Sequence, residues 1–421
     1  MPFSTRLFTI VFALTSFWII YRIHAAASRD PTSVFFNPRT AYAPAYSTIR
    51  THQAEDLIAS ANASEYSAPK AHSGTRKLCV GIPSIARKGA RYLRDSVGSL
   101  LDGLTEQERA DIFFTVFIPH SDPTVHPAYG EAWLPVLTDS VLTYDVPAEE
   151  MGHIKAMEEE GGLFREKGLY DYRYLLKYCT TQQTPYIAIF EDDIVAMDGW
   201  YHRTLAAIEE AEKLSAIRHA STEFLYLRLF YTEEFLGWNS EDWQTYLMCS
   251  LFFFSLPMGL LYYFRERNPT VNRFVTNRIL ASVGLLITIL IALFFALGRV
   301  TVLPLSPGIS LMPQYGCCSQ AFVFPRSKAL ELATYFRDRR LGFPDVLIED
   351  YANERGELRW AMTPSVVQHV GRKSSKVDDF GPASKHGMSV AEKIWSFNFE
   401  NMDAEVLRKE HQGVAQRGGN T

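Results

Sequence analysis

Three consecutive carboxylates, Glu191, Asp192 and Asp193, stand directly after the apolar run Tyr186 to Phe190. Like charges this close raise one another's pKa or recruit a cation, and hard divalent ions such as Mg²⁺ and Mn²⁺ favour oxygen ligands. An ion held there would bridge the two phosphates of a nucleotide sugar and offset the charge on a departing diphosphate. Asp193 is the expected direct ligand and Glu191 a second; Glu191 and Asp192 are also placed to bind the donor's ribose or to orient water. An isolated acidic triplet equally suits a solvated turn, so its weight rests on the strand that precedes it and on the other groups that converge on it.

Those groups are found elsewhere in the chain. His369 follows a short apolar run and precedes Gly371; it is a late candidate ligand for metal or diphosphate, with a structural imidazole as the alternative. Arg372 and Lys373 beside it are phosphate candidates, able in a metal-independent mode to replace the cation. Ile82, Pro83 and Ser84, with Arg87 nearby, form a turn placed to meet the nucleotide and diphosphate of such a donor. Transfer with inversion needs a carboxylate to take the acceptor hydroxyl's proton. Asp345, Glu349 and Asp350 lie together, and on a helix Asp345 and Glu349 share a face; Glu349 is the expected base and Asp350 the second choice. Adjacent Cys317 and Cys318 would form a small strained ring if bonded, below the usual Cα separation of disulfides, and would stiffen the loop that carries Gln320 and Ala321 toward the donor sugar. Two free or separately paired thiols are the alternative.

The elements that must position these residues read as an α/β domain. Candidate strands are Leu78 to Ile82, Ile112 to Ile118, Val141 to Tyr144, Tyr186 to Phe190, Phe224 to Leu229 and Gln320 to Phe324; candidate helices are Tyr92 to Leu101, Leu169 to Cys179, His202 to Leu214 and Ser327 to Arg339. Open α/β sheets bind ligands beyond the carboxyl ends of their strands, which is where the acidic triplet falls.

Three apolar runs stand apart: Leu7 to Ile23, Tyr246 to Phe264 and Ile279 to Leu297. The latter two are uncharged and long enough for a bilayer core; the first is a short span, or a signal peptide cleaved near Ala25 to Ala27. Residues 265–278 carry four arginines against one glutamate, which places that loop in the cytosol. The expected layout is a cytosolic tail at 1–6, a span at 7–23, a luminal stem at 24–77, the first part of a luminal domain at 78–245, spans at 246–264 and 279–297 flanking the basic loop, and the second part at 298–421. Asn62-Ala63-Ser64 is an N-glycosylation triplet on the luminal side. A formal charge of −5 excludes a phosphate-gripping nucleic-acid binder, and 47% apolar composition excludes disorder as the default.

Leu78 to Arg87 followed by Tyr92-Leu93, Phe190 to Val195, and Thr363 to Gly371 running to Ser375 resemble the N-acetylglucosaminyltransferase IV family. The apolar pair that interrupts this pattern is similar to that of the post-GPI-attachment-to-proteins factor 4 family of Golgi N-acetylgalactosaminyltransferases. The resemblance implies a GT-A fold, a UDP-sugar donor, a divalent cation (Mn²⁺ or Mg²⁺), Golgi residence with the endoplasmic reticulum as alternative, and transfer of N-acetylgalactosamine to a mannose of a glycosylphosphatidylinositol on anchored proteins. Competing expectations are an N-glycan branching N-acetylglucosaminyltransferase and a non-catalytic membrane scaffold.

Overall fold

Near-continuous apolar strands need cover on both faces, and the computed structural model shows that cover. It describes residues 3–63, 76–87, 89–159, 163–219, 221, 223–312, 316, 318–372 and 390–418. The chain divides into two compact units, Met1–Ala43 with Glu233–Leu305, and Pro44–Thr232 with Ser306–Thr421.

In the second unit the strands are β1 (Leu78–Pro83), β2 (Ile112–Phe117), β3 (Ser140–Leu142), β4 (Tyr186–Phe190), β5 (Ile194–Ala196), β6 (Tyr226–Arg228), β7 (Gly308–Leu311), β8 (Ala321–Pro325), β9 (Arg359–Thr363) and β10 (Val367–His369). Eight of them form one sheet in the order β3-β2-β1-β4-β8-β6-β9-β7, while β5 and β10 make a separate pair. The first four sheet members run parallel, and β8 enters antiparallel to β4. Alternate side chains of β4 enter opposite cores, as the two-residue period of a strand requires. Ala188 and Phe190 pack with Leu93, Val97 and Trp200 from helices Tyr92–Leu101 and Trp200–His219. Ile187 and Ile189 pack with Leu175, Leu332 and Leu347 from helices Phe164–Thr181, Arg326–Arg339 and Pro344–Arg355. The α/β reading therefore holds, as a mixed sheet between helical layers.

Part of the expected stem belongs to this unit. Residues Tyr46–Asn62 form a helix that packs so closely on Tyr92–Leu101 that a Cβ on Gly98 would lie 2.6 Å from the Ala54 carbonyl. Its buried positions, Tyr46, Ser47, Arg50, Ala54, Ile58 and Ala61, keep a helical period, but two are polar and hide it from an apolar count. Arg50 is fully buried and donates to the Ala196 and Ser99 carbonyls and to Asp102, each at 2.7 Å. A disulfide not expected from the sequence joins Cys79 in β1 to Cys179 in helix Phe164–Thr181, closing a separation of 100 residues. Such a bond fits an oxidising compartment.

Among the described residues, the first unit holds three helices long and apolar enough to cross a membrane, Phe3–Ala27, Trp243–Arg267 and Asn277–Ala296. Their large side chains, among them Phe252, Phe253, Leu285 and Leu290, are exposed, so protein does not cover them and lipid would. A Cβ on Gly284 would lie 3.7 Å from Phe254 and Met258, so the second helix packs closely on the third. The carbonyl of Ala296 accepts from Val34 N–H at 3.0 Å and Ser33 Oγ at 3.1 Å, and Trp238 Nε1 donates to the Phe295 carbonyl at 3.0 Å. These bonds gather the carboxyl ends of the first and third helices and the approach to the second at one end of the unit. The basic loop joins the opposite ends of the second and third.

One surface charge in the second unit is held unfavourably. Burial, with Glu55 alongside, raises Asp95 to about 6. The folded chain thus binds a proton more tightly than the unfolded chain, so ionisation costs stability as pH rises from about 4 through 6. We expect Asp95→Asn to stabilise the protein at pH 7 by about 1–2 kcal/mol and to confer nothing below about pH 4, as read by thermal unfolding in detergent across that range.

Candidate functional site

Strand β4 stops where apolar side chains give way to Glu191, Asp192 and Asp193, and the chain turns at once into β5. Each carboxylate meets a different partner. Asp192 is buried; its Oδ1 accepts from Arg87 Nη1 at 2.6 Å and its Oδ2 from Ser84 Oγ at 2.5 Å. Ser84 in turn lies 3.1 Å from His126 Nε2. Because His126 Nδ1 accepts from Ala128 N–H at 3.2 Å, Nε2 carries the proton and donates to Ser84, whose own proton is free for Asp192. Burial, His120 and Arg87 lower His126 to about 4, so the ring is neutral. Ser84, Arg87, Tyr92, His126 and Asp192 line one pocket.

Asp193 faces the other way. Its neighbour is delivered by the antiparallel pairing of β10 with β5, in which His369 stands opposite Ile194 and Val370 N–H donates to the Asp193 carbonyl at 2.8 Å. His369 Nδ1 donates to the Ile394 carbonyl at 3.0 Å, which leaves Nε2 facing Asp193 Oδ2, 3.5 Å away. Arg87 Nη2 lies 3.4 Å from that oxygen. Asp193 Oδ1 is buried and has no hydrogen-bond partner among the described residues. A Cβ on Gly371 would lie 2.4 Å from Asp193 Oδ2 and 2.8 Å from His369 Nε2, so only glycine lets the chain pass there.

The charges are unequally held. Burial raises Asp192 to about 6 against the pull of Arg87. Burial would raise Asp193 too, but His369 and Arg87 bring it below the usual carboxylate range. For His369 burial lowers proton affinity, and Asp193 more than reverses this. A carboxylate with an unsatisfied buried oxygen, beside an imidazole whose far nitrogen is fixed by a carbonyl, is the arrangement metal-binding histidines adopt. The residues present therefore fit a divalent cation, held by Asp193 and His369.

Several expected roles change. Glu191 turns away from Asp193: Ser319 Oγ donates to its Oε1 at 2.5 Å and Gln320 Nε2 to its Oε2 at 3.2 Å. Ile82 and Ala321 are fully buried in the apolar core, so neither side chain reaches a donor; Pro83 is half-buried at the end of β1. Arg372 is exposed, and its backbone N–H donates to Tyr92 OH at 3.0 Å; Lys373 lies outside the described residues. Cys318 is disulfide-bonded, while Cys317 lies outside the described residues. Asn62 is exposed at its helix end, with Oδ1 accepting from Trp133 N–H at 3.1 Å, and Ser64 of its triplet lies outside the described residues.

The largest correction concerns Glu349. Its Oε1 accepts from Arg228 Nη2 at 2.7 Å and Tyr226 OH at 2.6 Å, and its Oε2 from Arg359 Nη1 at 2.8 Å. Two arginines and a phenol occupy both oxygens of a buried group, which removes it from service as a proton acceptor. Arg228 in turn donates to the carbonyls of Cys318 at 2.5 Å and Gly316 at 3.2 Å, so Glu349 sets the loop that presents Ser319 and Gln320 to Glu191. Asp350 lies on another face of the helix, where its charge is felt at Tyr335. Asp345 is the half-buried carboxylate of the first turn. Tyr172, whose buried hydroxyl has no hydrogen-bond partner among the described residues, is raised well above its ordinary value by burial and then by the charges of Glu191 and Asp345. Sequence reasoning missed Ser319, His126, Tyr172 and Arg228, since each carries meaning only through a contact distant in the chain.

A family model described as GPI-N-acetylgalactosamine transferase PGAP4 matches residues 78–368. Among curated proteins, the alpha-1,3-mannosyl-glycoprotein 4-beta-N-acetylglucosaminyltransferase B of Danio rerio is 26% identical over 152 residues, 32% of this chain and 27% of that protein. The corresponding transferase A of Xenopus tropicalis is 27% identical over 135 residues, 30% of this chain and 25% of that protein. The chain spans about a quarter of the length of these curated relatives.

Gly371→Ala tests the cradle. We expect it to force Asp193 and His369 apart and to weaken Mn²⁺ binding at least about tenfold, measured by electron paramagnetic resonance of free Mn²⁺, with an unfolding midpoint close to that of the unaltered protein.

Proposed function

The chain belongs to the GPI-N-acetylgalactosamine transferase PGAP4 family, a family of hexosaminyltransferases, and from that premise we propose that it transfers N-acetylgalactosamine from UDP-N-acetylgalactosamine to a mannose of the glycosylphosphatidylinositol anchor glycan, with inversion, in a GT-A-type domain. The observation that carries the reading is the meeting of Asp193 with His369 across Gly371 at the carboxyl end of β4. A divalent cation bound there would offset the charge that develops on the diphosphate.

The chain's own groups fill the remaining roles. Ser84, Arg87 and Asp192 bound the pocket proposed for the uridine and ribose, and the Arg87 guanidinium, over the Tyr92 ring at 5.4 Å, supplies fixed positive charge at its edge. Ser319 and Gln320 orient Glu191 toward the donor sugar. Asp345 takes the proton of the acceptor hydroxyl as that oxygen attacks the anomeric carbon; the bond from that carbon to the diphosphate breaks on the opposite face, and UDP departs with its electron pair. Glu349 is a positioning residue that acts through Arg228.

In this reading the three apolar helices are membrane spans, the basic loop at 265–278 is cytosolic, and the domain faces the Golgi lumen. The pairing of residues 33–34 with Ala296 supports a common side for the chain after the first and third spans. A lipid-linked acceptor gives an inserted pair of spans a purpose that a soluble acceptor does not. The likeness to the two N-acetylglucosaminyltransferases favours, as second reading, donation of N-acetylglucosamine to a glycoprotein glycan.

Detergent-purified protein offered both UDP-N-acetylhexosamines, with anchored and soluble glycoprotein acceptors, separates the two: selective labelling of the anchor glycan from UDP-N-acetylgalactosamine supports the first, and labelling of soluble glycans alone removes it. In the same assay Asp345→Asn is expected to lower kcat by at least about a hundredfold while UDP affinity and stability stay unchanged. Glu349→Gln leaves two buried arginines short of a counter-charge and is expected to lower stability by about 3–5 kcal/mol. A stable Glu349→Gln protein with intact UDP binding and no turnover would return the base to Glu349.

A further inference from the structure

Away from the donor pocket, a second group of potential ligands joins three helices. Glu108 lies on Glu106–Ala110, His202 on Trp200–His219 and His411 on Ala404–Gly418, and one ligand atom from each lies within 4.8 Å of the other two. We propose that Glu108, His202 and His411 form a zinc site that fastens the C-terminal helix to the domain, separate from Asp193 and His369.

The donor set and its surroundings carry the argument. His411 Nδ1 lies 2.6 Å from Asp198 Oδ1, and its Nε2 lies 2.8 Å from Glu108 Oε2. Asp198 is buried and ion-paired to Arg408, so it fixes the ring through Nδ1–H and points the Nε2 lone pair at Glu108, the carboxylate–histidine–metal pattern of structural and catalytic zinc sites. Glu108 is itself held by Thr105, whose N–H donates to its Oε2 at 2.9 Å. These contacts alone would suit a protonated His411 bridging two carboxylates, and Asp198 and Glu108 raise that imidazole to about 9.

A proton leaves His202 unexplained. Both its ring nitrogens are buried and lack hydrogen-bond partners among the described residues. The nearest carboxylate oxygen, Glu410 Oε1, stands 3.5 Å from Nε2, too long for a good hydrogen bond, and the other oxygen of Glu410 is taken by Arg203 at 2.6 Å. The His202 and His411 rings lie 5.3 Å apart at 32°. Gly199, at φ +77, has no room for a Cβ, which would fall 2.4 Å from His202 Cε1. A half-buried imidazole whose two nitrogens are enclosed without a hydrogen-bond partner is thus pressed beside a second one. Two imidazoles and one carboxylate suit Zn²⁺ better than Mg²⁺, which prefers oxygen ligands. Four-coordinate zinc at about 2.1 Å from each ligand sets them about 3.4 Å apart, within reach of small side-chain rotations from the separations seen.

The location separates this site from the donor pocket. Glu106–Ala110 leads into the start of β2, whereas Asp193 follows the end of β4. Strands β2, β1 and β4 are parallel, so the two groups sit at opposite ends of the sheet.

Full-length protein in detergent, incubated with zinc chloride and gel-filtered, is assayed for bound metal by mass spectrometry and for stability by thermal unfolding with and without a zinc chelator. We expect one zinc per chain in Asp193→Asn and at least one in the unaltered protein, at least about tenfold weaker zinc binding at this site in His202→Gln, and restored binding in His202→Cys. Chelation should lower the melting temperature of the unaltered protein and leave that of His202→Gln unmoved. Absence of bound zinc, equal zinc in His202→Gln, or loss of zinc in Asp193→Asn with retention in His202→Gln overturns the proposal.

Discussion

The hydrogen bond from Val370 N–H to the Asp193 carbonyl ties together two stretches that lie far apart in sequence. It extends the short ladder between β5 and β10, and the register of that ladder decides which side chain stands beside Asp193. A slip by one residue would turn His369 to the opposite face and offer Gln368 or Val370 instead. Register is protected because Ile194, Val195 and Ala196 are fully buried and because Gln368 is satisfied on its own face, donating to the Ser396 carbonyl at 2.9 Å and accepting from Ser396 N–H at 2.9 Å. The segment that supplies Ile394 to the imidazole is thereby held by the neighbouring residue of the same strand.

Around that ladder the fold buries charge, and each buried charge constrains the next. Arg87 answers Asp192 and Asp193. Arg228 and Arg359 answer Glu349. Arg50 binds Asp102 and two backbone carbonyls. A buried charge without its partner costs several kcal/mol, so these groups fix geometry more firmly than apolar contacts of equal size. The line from Glu349 through Arg228 to the carbonyls of Gly316 and Cys318, and so to Ser319 and Glu191, shows a carboxylate acting on a site without entering it.

Much of this was legible in the sequence. The strand before the acidic triplet, the triplet itself, Ser84, Arg87, His369 and the apolar helices all announce themselves through residue type and local spacing. Strands β5, β7, β9 and β10 did not, because runs of three to five residues are too short to show a period and three of the four mix polar with apolar residues; yet β5 and β10 deliver the histidine. Helix Tyr46–Asn62 was hidden by Ser47 and Arg50 on its buried face. Glu349 misled for a physical reason: a carboxylate at helical spacing from Asp345 reads the same whether its partners are water or two arginines, and those partners come from β6 and β9. The bond between Cys79 and Cys179 was likewise invisible until β1 and the helix beside it were placed.

The central claim is that His369 and Asp193 together hold one divalent cation. Pulsed electron paramagnetic resonance of the Mn²⁺-loaded, full-length protein reads it directly through the coupling of the ion to ligand nitrogen. The account predicts a single imidazole nitrogen coupling that is lost in His369→Ala and unaffected in His202→Gln. A Mn²⁺ spectrum without nitrogen coupling, or one unchanged by His369→Ala, would contradict it.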